Sequence, residues 1–325
     1  MSLGEFDLIS RYFKQSNTQI TDGVEVGIGD DCAILELPEG YQLAVTTDSL
    51  VCGVHFFEDV CPYRLGYKSL AVNLSDLAAM GADPKWVSLA LTLPIVDEKW
   101  LSEFCRGFFE LALKYNVRLI GGDTTKGPLS ITVSAKGVVA RHKALLRSRA
   151  QVDDLICVSG VLGDGGLGLA CKTGKQALNN PTPFIDALEL TEPRNDLGKL
   201  LINYASSCID ISDGLIQDLK HILDASLCSA EIEVNKLPLS AAMKHEISCK
   251  TIVQKQALNY ALSGGDDYEL LFTIKQEHYL QFCAQYPDAQ VTVIGKVIAD
   301  NQQKVRFTEA GQTVNLQLAG WDHFK

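Results

Sequence analysis

The chain has 325 residues, 46% hydrophobic and 21% charged, enough to bury a full core and to form two domains. A formal net charge of −11 argues against a nucleic-acid partner, because displacing the counterions of a phosphate backbone calls for a basic face. The longest apolar stretches, such as Trp86 to Pro94, fall short of the roughly 20 residues that cross a bilayer, and the start, with Glu5 and Asp7, lacks the basic-then-apolar order of a secretory signal, so no membrane partner and a cytoplasmic location are expected.

Apolar periodicity in the first half predicts strands near Gln42 to Val51, Trp86 to Pro94, Val117 to Ile120 and Leu129 to Ala140. Two helices are predicted between them. One runs from about Pro62 to Met80, with Leu65, Leu70, Leu74 and Leu77 at helical spacing and Gly81 as its stop; the other runs from about Asp97 to Tyr115, with Trp100, Leu101, Phe104, Phe108 and Leu111 on one face. The polar, basic stretch Arg141 to Asp154 lacks periodicity and divides the chain into domains of residues 1–150 and 151–325. In the second half strands are predicted near Ala230 to Val234, Tyr268 to Ile274 and Val291 to Ile298, with helices near Leu215 to Ser226 and Gln276 to Tyr286. The segment Asn179 to Arg194, with Pro181, Pro183 and Pro193, reads as an irregular excursion. The pattern is that of two mixed α/β and α+β domains. The ten cysteines form no Cys-x-x-Cys pair and read as free thiols.

The informative feature is recurrence. Aspartates stand beside glycines or hydroxyl residues at the ends of apolar runs in GIGDDCA, TTDSL, GGDTTKG, DISDG and SGGDDYE. Glycine lets a backbone approach a ligand closely, and carboxylate and hydroxyl oxygens are the hard donors that magnesium prefers. A single such motif is an ordinary turn; five of them are not. Asp76 adds a carboxylate in NLSDLAAMGA, where every neighbour from Leu74 to Ala82 except Ser75 is apolar or small and an unpaired charge is costly. GDGGLG from Gly163 fits Gly-x-Gly-x-x-Gly, yet the prolines beyond Asn179 interrupt the helix-and-strand return of a dinucleotide fold. No Gly-x-x-x-x-Gly-Lys-Ser/Thr loop and no Gly-x-Ser-x-Gly elbow is present, which excludes an ordinary P-loop kinase and disfavours an acyl-enzyme hydrolase.

Taken in order, GEFDLI, GIGDDCA, TTDSLVCGVHF, YKSLAVNLSDLAAMGADP, IGGDTTKGPLSITV, DISDGL and ALSGGDDYELLF resemble the motifs of the thiamine-monophosphate kinase family. That family belongs to the PurM-like superfamily shared with aminoimidazole ribonucleotide synthetase, selenophosphate synthetase and a hydrogenase-maturation protein. The resemblance implies an N-terminal α/β domain whose sheet forms a barrel with its copy in a homodimer, and a C-terminal α+β domain. It implies ATP-dependent phosphorylation of thiamine monophosphate to thiamine diphosphate by direct in-line transfer. Several magnesium ions would be held by Asp30, Asp31, Thr46, Thr47, Asp48, Asp76, Asp123, Asp210 and Asp213. Gly122, Asp123, Arg147 and Ser212 would contact ATP, and His55, Asp266 and Trp321 the acceptor. The chain has GGDD where the family form is GGED, so Asp266 reaches less far than the family's glutamate.

Overall fold

The computed structural model describes residues 5–14, 23–29, 31–299 and 304–314. They divide into two compact units, one of residues 1–77 and 82–144 and the other of residues 78–81 and 145–325.

The first unit opens with α1 (Glu5–Leu8), which passes into a wider helical turn over Ile9–Lys14. A short antiparallel pair follows, β1 (Val24–Val26) with β2 (Ile34–Leu35). The main sheet is built from β3 (Tyr41–Val51), β4 (Asp83–Leu93), β5 (Arg118–Lys126) and β6 (Ser130–Ala140), in the order β3-β6-β4-β5. The β4–β5 pair is parallel and is joined through a helix; both other pairs are antiparallel.

Helix α2 (Pro62–Ala79) starts on a proline, which the first turn tolerates, and buries Leu65, Leu70, Leu74 and Leu77. Helix α3 (Glu98–Lys114) is capped by Asp97, whose carboxylate accepts from the amides of Lys99 and Trp100. The two helices touch through glycines. A Cβ on Gly66 would lie 2.0 Å from the Phe104 carbonyl oxygen, and one on Gly107 would lie 1.9 Å from that of Tyr63.

The second unit has a seven-stranded sheet in the order β13-β12-β9-β11-β7-β10-β8. Its strands are β7 (Leu155–Ser159), β8 (Ala205–Asp210), β9 (Ser229–Glu233), β10 (Leu270–Ile274), β11 (Val291–Ile298), β12 (Val305–Glu309) and β13 (Gln312–Val314). Around it lie α4 (Asp164–Lys172), α5 (Thr182–Glu189), α6 (Asn195–Leu201), α7 (Leu215–Ser226), α8 (Ala241–Ser248), α9 (Gln254–Ser263) and α10 (Gln276–Gln285). The central strand β10 is buried along its whole length, and Leu271 and Phe272 go into different apolar clusters. This alternation is what a strand covered on both faces requires.

One expectation is corrected. The stretch read as an irregular excursion contains α5, because Pro181 stands at its cap and Pro183 within its first turn, where a missing amide costs no hydrogen bond.

Candidate functional site

In the first unit the pleat sorts the sequence motifs onto two faces. Along β3, Thr46, Asp48 and Leu50 turn toward the helices, while Leu43, Val45, Thr47 and Ser49 are exposed on the other side. Thr46 donates its hydroxyl to the Asp76 carboxylate on α2, and the Asp48 amide donates to Asn73 Oδ1 at 3.2 Å. Burial, reinforced by the negative charge of Asp76, pushes the Asp48 carboxyl up to about 6. Two carboxylates and a hydroxyl thus share a partly desolvated spot, where the charge of Asp76 works against ionisation of Asp48. A hard divalent cation would relieve that repulsion, so the donor set fits magnesium. Thr47 is not brought there: its hydroxyl donates to the Thr46 carbonyl at 2.8 Å.

The other face carries the remaining carboxylates. The register sets Ser49 opposite Thr132, Thr132 opposite Ala90 and Ala90 opposite Asp123, so exposed Asp123 lies on the face away from Asp48 and at the far edge of the sheet. The β1–β2 hairpin packs on that same outer face, with Val24, Ala33 and Leu35 against Trp86, Ile120 and Val138. Its loop carries exposed Asp31. Asp30 lies outside the described residues. Among the described residues no cluster of three or more His, Cys, Asp or Glu side chains is assembled to hold a metal. Gly122 has a structural reason to be glycine: its φ is 153°, and a Cβ there would meet the Leu89 carbonyl oxygen at 1.8 Å. His55 sits in the turn after β3, where its Nδ1 accepts from the Val51 amide at 3.1 Å. That bond makes Nε2 the nitrogen carrying the proton.

In the second unit two motifs far apart in sequence are joined. The β8–β10 ladder, with Leu270 opposite Asp210, continues beyond the strands: Ile211 N bonds Glu269 O at 2.8 Å, Tyr268 N bonds Ile211 O at 2.8 Å and Asp266 N bonds Ser212 O at 2.9 Å. DISDG and SGGDDYE therefore form one bonded pair of loops. Asp210 is buried at the strand end, and Asp213 accepts from Gln217 Nε2 at 3.2 Å. Arg147 is exposed in a short turn that is tied to α7, its carbonyl accepting from Ser226 Oγ at 2.9 Å. Trp321 lies outside the described residues.

Several residues that organise this region were not singled out in the sequence. Asp218 Oδ2 accepts from the amides of Ser212 and Asp213, both at 3.1 Å, and closes the loop on the first turn of α7. Burial pushes its carboxyl up to about 7, although the two backbone donors and the charge of Arg147 oppose the shift. Glu269 is buried and accepts from Arg194 Nε at 2.7 Å, Arg194 Nη2 at 2.5 Å and Ser159 Oγ at 2.5 Å. Asp267 occupies the head of α4, where both its oxygens stand 2.9 Å from Gly163 N. The slot that GDGGLG would offer a phosphate is thus filled by an internal carboxylate, while Gly165 and Gly166 pack closely against the Gly264–Asp266 loop, Gly163 against Tyr260 and Ala261, and Gly168 against Phe184. The only signal for Asp218 was an acid in the first turn of a helix after DISDG; Arg194 gave none.

Comparison with known proteins agrees with these motifs. Residues 29–139 match the family described as AIR synthase related protein, N-terminal domain, and residues 151–308 match its C-terminal domain. The thiamine-monophosphate kinase of Haemophilus influenzae is 48% identical, with 100% of this chain and 99% of that protein covered. This chain belongs to the thiamine-monophosphate kinase family. A crystal structure of the thiamine-monophosphate kinase from Stenotrophomonas maltophilia superimposes with a TM-score of 0.83 at 40% identity, covering 97% of this chain and 99% of that one. A structure described as AaThiL complexed with AMPPCP and TMP has a TM-score of 0.77 at 32% identity, covering 100% and 99%. As in other thiamine-monophosphate kinases, the fold is the two-domain PurM-like one.

Proposed function

We propose that the chain transfers the γ-phosphoryl group of ATP to thiamine monophosphate, giving thiamine diphosphate and ADP. The observation that carries this reading is family membership over the whole chain, together with a relative at 32% identity described with an ATP analogue and TMP.

The acceptor is itself a phosphate, so no side chain has to form a covalent intermediate; the demand is to hold two anionic groups in line and offset their repulsion. In the first unit Thr46, Asp48 and Asp76 would hold magnesium, with Asp31 and Asp123 as further donors on the outer face. In the second unit Asp210 and Asp213 are assigned the same role by their motif. Bound magnesium would supply positive charge to the phosphate oxygens as negative charge redistributes between donor and acceptor. Gly122, Asp123, Arg147 and Ser212 are assigned to ATP, and Asp266 and Trp321 to the thiamine end. His55, with Nε2 protonated, is a hydrogen-bond donor suited to the acceptor phosphate.

We further assign residues 1–150 to metal binding and dimerisation and residues 151–325 to the α+β domain. Dimerisation is supported by the exposed row Tyr41, Leu43, Val45 and Val51 on one face of β3, an apolar surface suited to cover by a second copy. Cytoplasmic action is the setting in which ATP, magnesium and ten unpaired thiols coexist. No described helix is long and apolar enough to cross a membrane.

The test is ADP release with magnesium, ATP and thiamine monophosphate. Turnover must require the acceptor; ATP hydrolysis indifferent to thiamine monophosphate would overturn the reading.

A further inference from the structure

The loop carrying Asp266 reverses within three residues. Asp266 and Tyr268 both have left-handed backbones, with φ of 64° and 50°, although neither is glycine. Such conformations persist only where the surroundings hold them. Between them Asp267 turns inward, and its carboxylate accepts from the Gly163 amide at 2.9 Å through both oxygens and from the Gly165 amide as well. These amides belong to the head of α4, where helical geometry leaves donors without an internal acceptor. The fit has no slack: a Cβ on Gly165 would sit 2.5 Å from the Asp266 carbonyl oxygen. On the opposite side the Asp266 amide is held by Ser212 O, and Tyr268 OH donates to Asp266 Oδ1 at 3.3 Å.

We propose that Asp267 is the positioning residue of the thiamine monophosphate site: by gripping the amides at the head of α4 it locks the left-handed turn and so fixes where the Asp266 carboxylate stands. The inference rests on the assignment of Asp266 to the acceptor. Asp267 itself does not face the acceptor, because its two oxygens are engaged inside the protein. What the turn requires of it is acceptor oxygens facing the amides at the head of α4; burial first, and then the nearby Glu269 and Asp164, raise its carboxyl above the usual range, against the pull of those two backbone donors. Asparagine at this position keeps such an oxygen; alanine does not.

The experiment is steady-state kinetics of the full chain carrying Asp267→Ala, Asp267→Asn, Gly165→Ala or Asp266→Ala. Asp267→Ala is expected to raise KM for thiamine monophosphate about tenfold or more while KM for ATP stays within about twofold, and Asp267→Asn to restore most of the loss. Gly165→Ala presses on Asp266 from α4 with Asp267 intact and gives the same signature, so it decides the matter if Asp267→Ala does not fold. A purely structural Asp267 would lower the active fraction and hence apparent kcat, with both KM values unchanged. That result, alongside a raised acceptor KM in Asp266→Ala, overturns the positioning role. An unchanged acceptor KM in Asp266→Ala instead removes the acceptor assignment, and the inference with it.

Discussion

The amide of Asp266 donates to the carbonyl of Ser212 at 2.9 Å, so the loop assigned to the acceptor and the loop assigned to the nucleotide share a hydrogen bond. Gly265 makes the approach feasible: a Cβ there would lie 2.5 Å from the Ser212 carbonyl oxygen. Gly265→Ala must therefore push the loops apart. We expect KM to rise for both ATP and thiamine monophosphate, measured by varying each substrate in turn, whereas a change confined to one substrate would mean that the loops move independently.

The alternation along β3 gives a sharper contrast. Thr46 bonds Asp76 beside Asp48, whereas Thr47 lies on the exposed face. Asp48→Asn is expected to lower turnover by about 10²-fold or more and Thr46→Val to weaken magnesium activation, because both remove donors from one spot. Thr47→Val should retain most activity. Magnesium titration of kcat checks all three, and equal losses at 46 and 47 would contradict the facing described here.

Asp164 makes stability depend on pH. Burial raises its carboxyl from an ordinary 3.8 to about 6, with Ser240 Oγ donating to it at 2.9 Å against the shift. The folded state therefore holds this proton more tightly than the unfolded chain does. Its contribution is fully present below about pH 3.8 and is lost as pH rises through about 6, a span worth on the order of 3 kcal/mol. Asp164→Asn should flatten that part of the curve of Tm against pH. An unchanged slope between pH 4 and 7 would show that the carboxyl titrates normally.

The outer face of β3 offers a physical test of assembly. Val45 is 58% exposed in the middle of an apolar row at an edge strand. Val45→Asp should convert the proposed dimer to a monomer in sedimentation or light scattering, since the dimer would bury a charge without a partner there. A dimer of unchanged strength would move the interface elsewhere.

Much of the framework was legible because its elements are long and periodic. Strands β3, β4 and β6, with helices α2, α3 and α7, carry apolar residues at the spacing that their buried faces require. Strand β8 was not visible, because ASSCID has too few branched or aromatic residues to stand out, and burial between β10 and the helices decides its conformation. Short helices such as α6 and α9 were lost for the same reason: their apolar faces are narrow, and tertiary packing holds them. For the site, sequence named the carboxylates but not their grouping. Asp48 and Asp123 look equivalent in a string of Gly-Asp motifs, and only strand register sets them on opposite faces. Asp267 was hidden beside Asp266, because sequence does not reveal which of two adjacent aspartates turns inward.

The most direct test of the central claim is transfer of label from γ-labelled ATP, with purified protein, magnesium and either thiamine monophosphate or free thiamine as acceptor. The account predicts label in thiamine diphosphate, formed from the monophosphate alone, with ADP released in equal amount. Label appearing only as inorganic phosphate, or in a product of free thiamine, would contradict it.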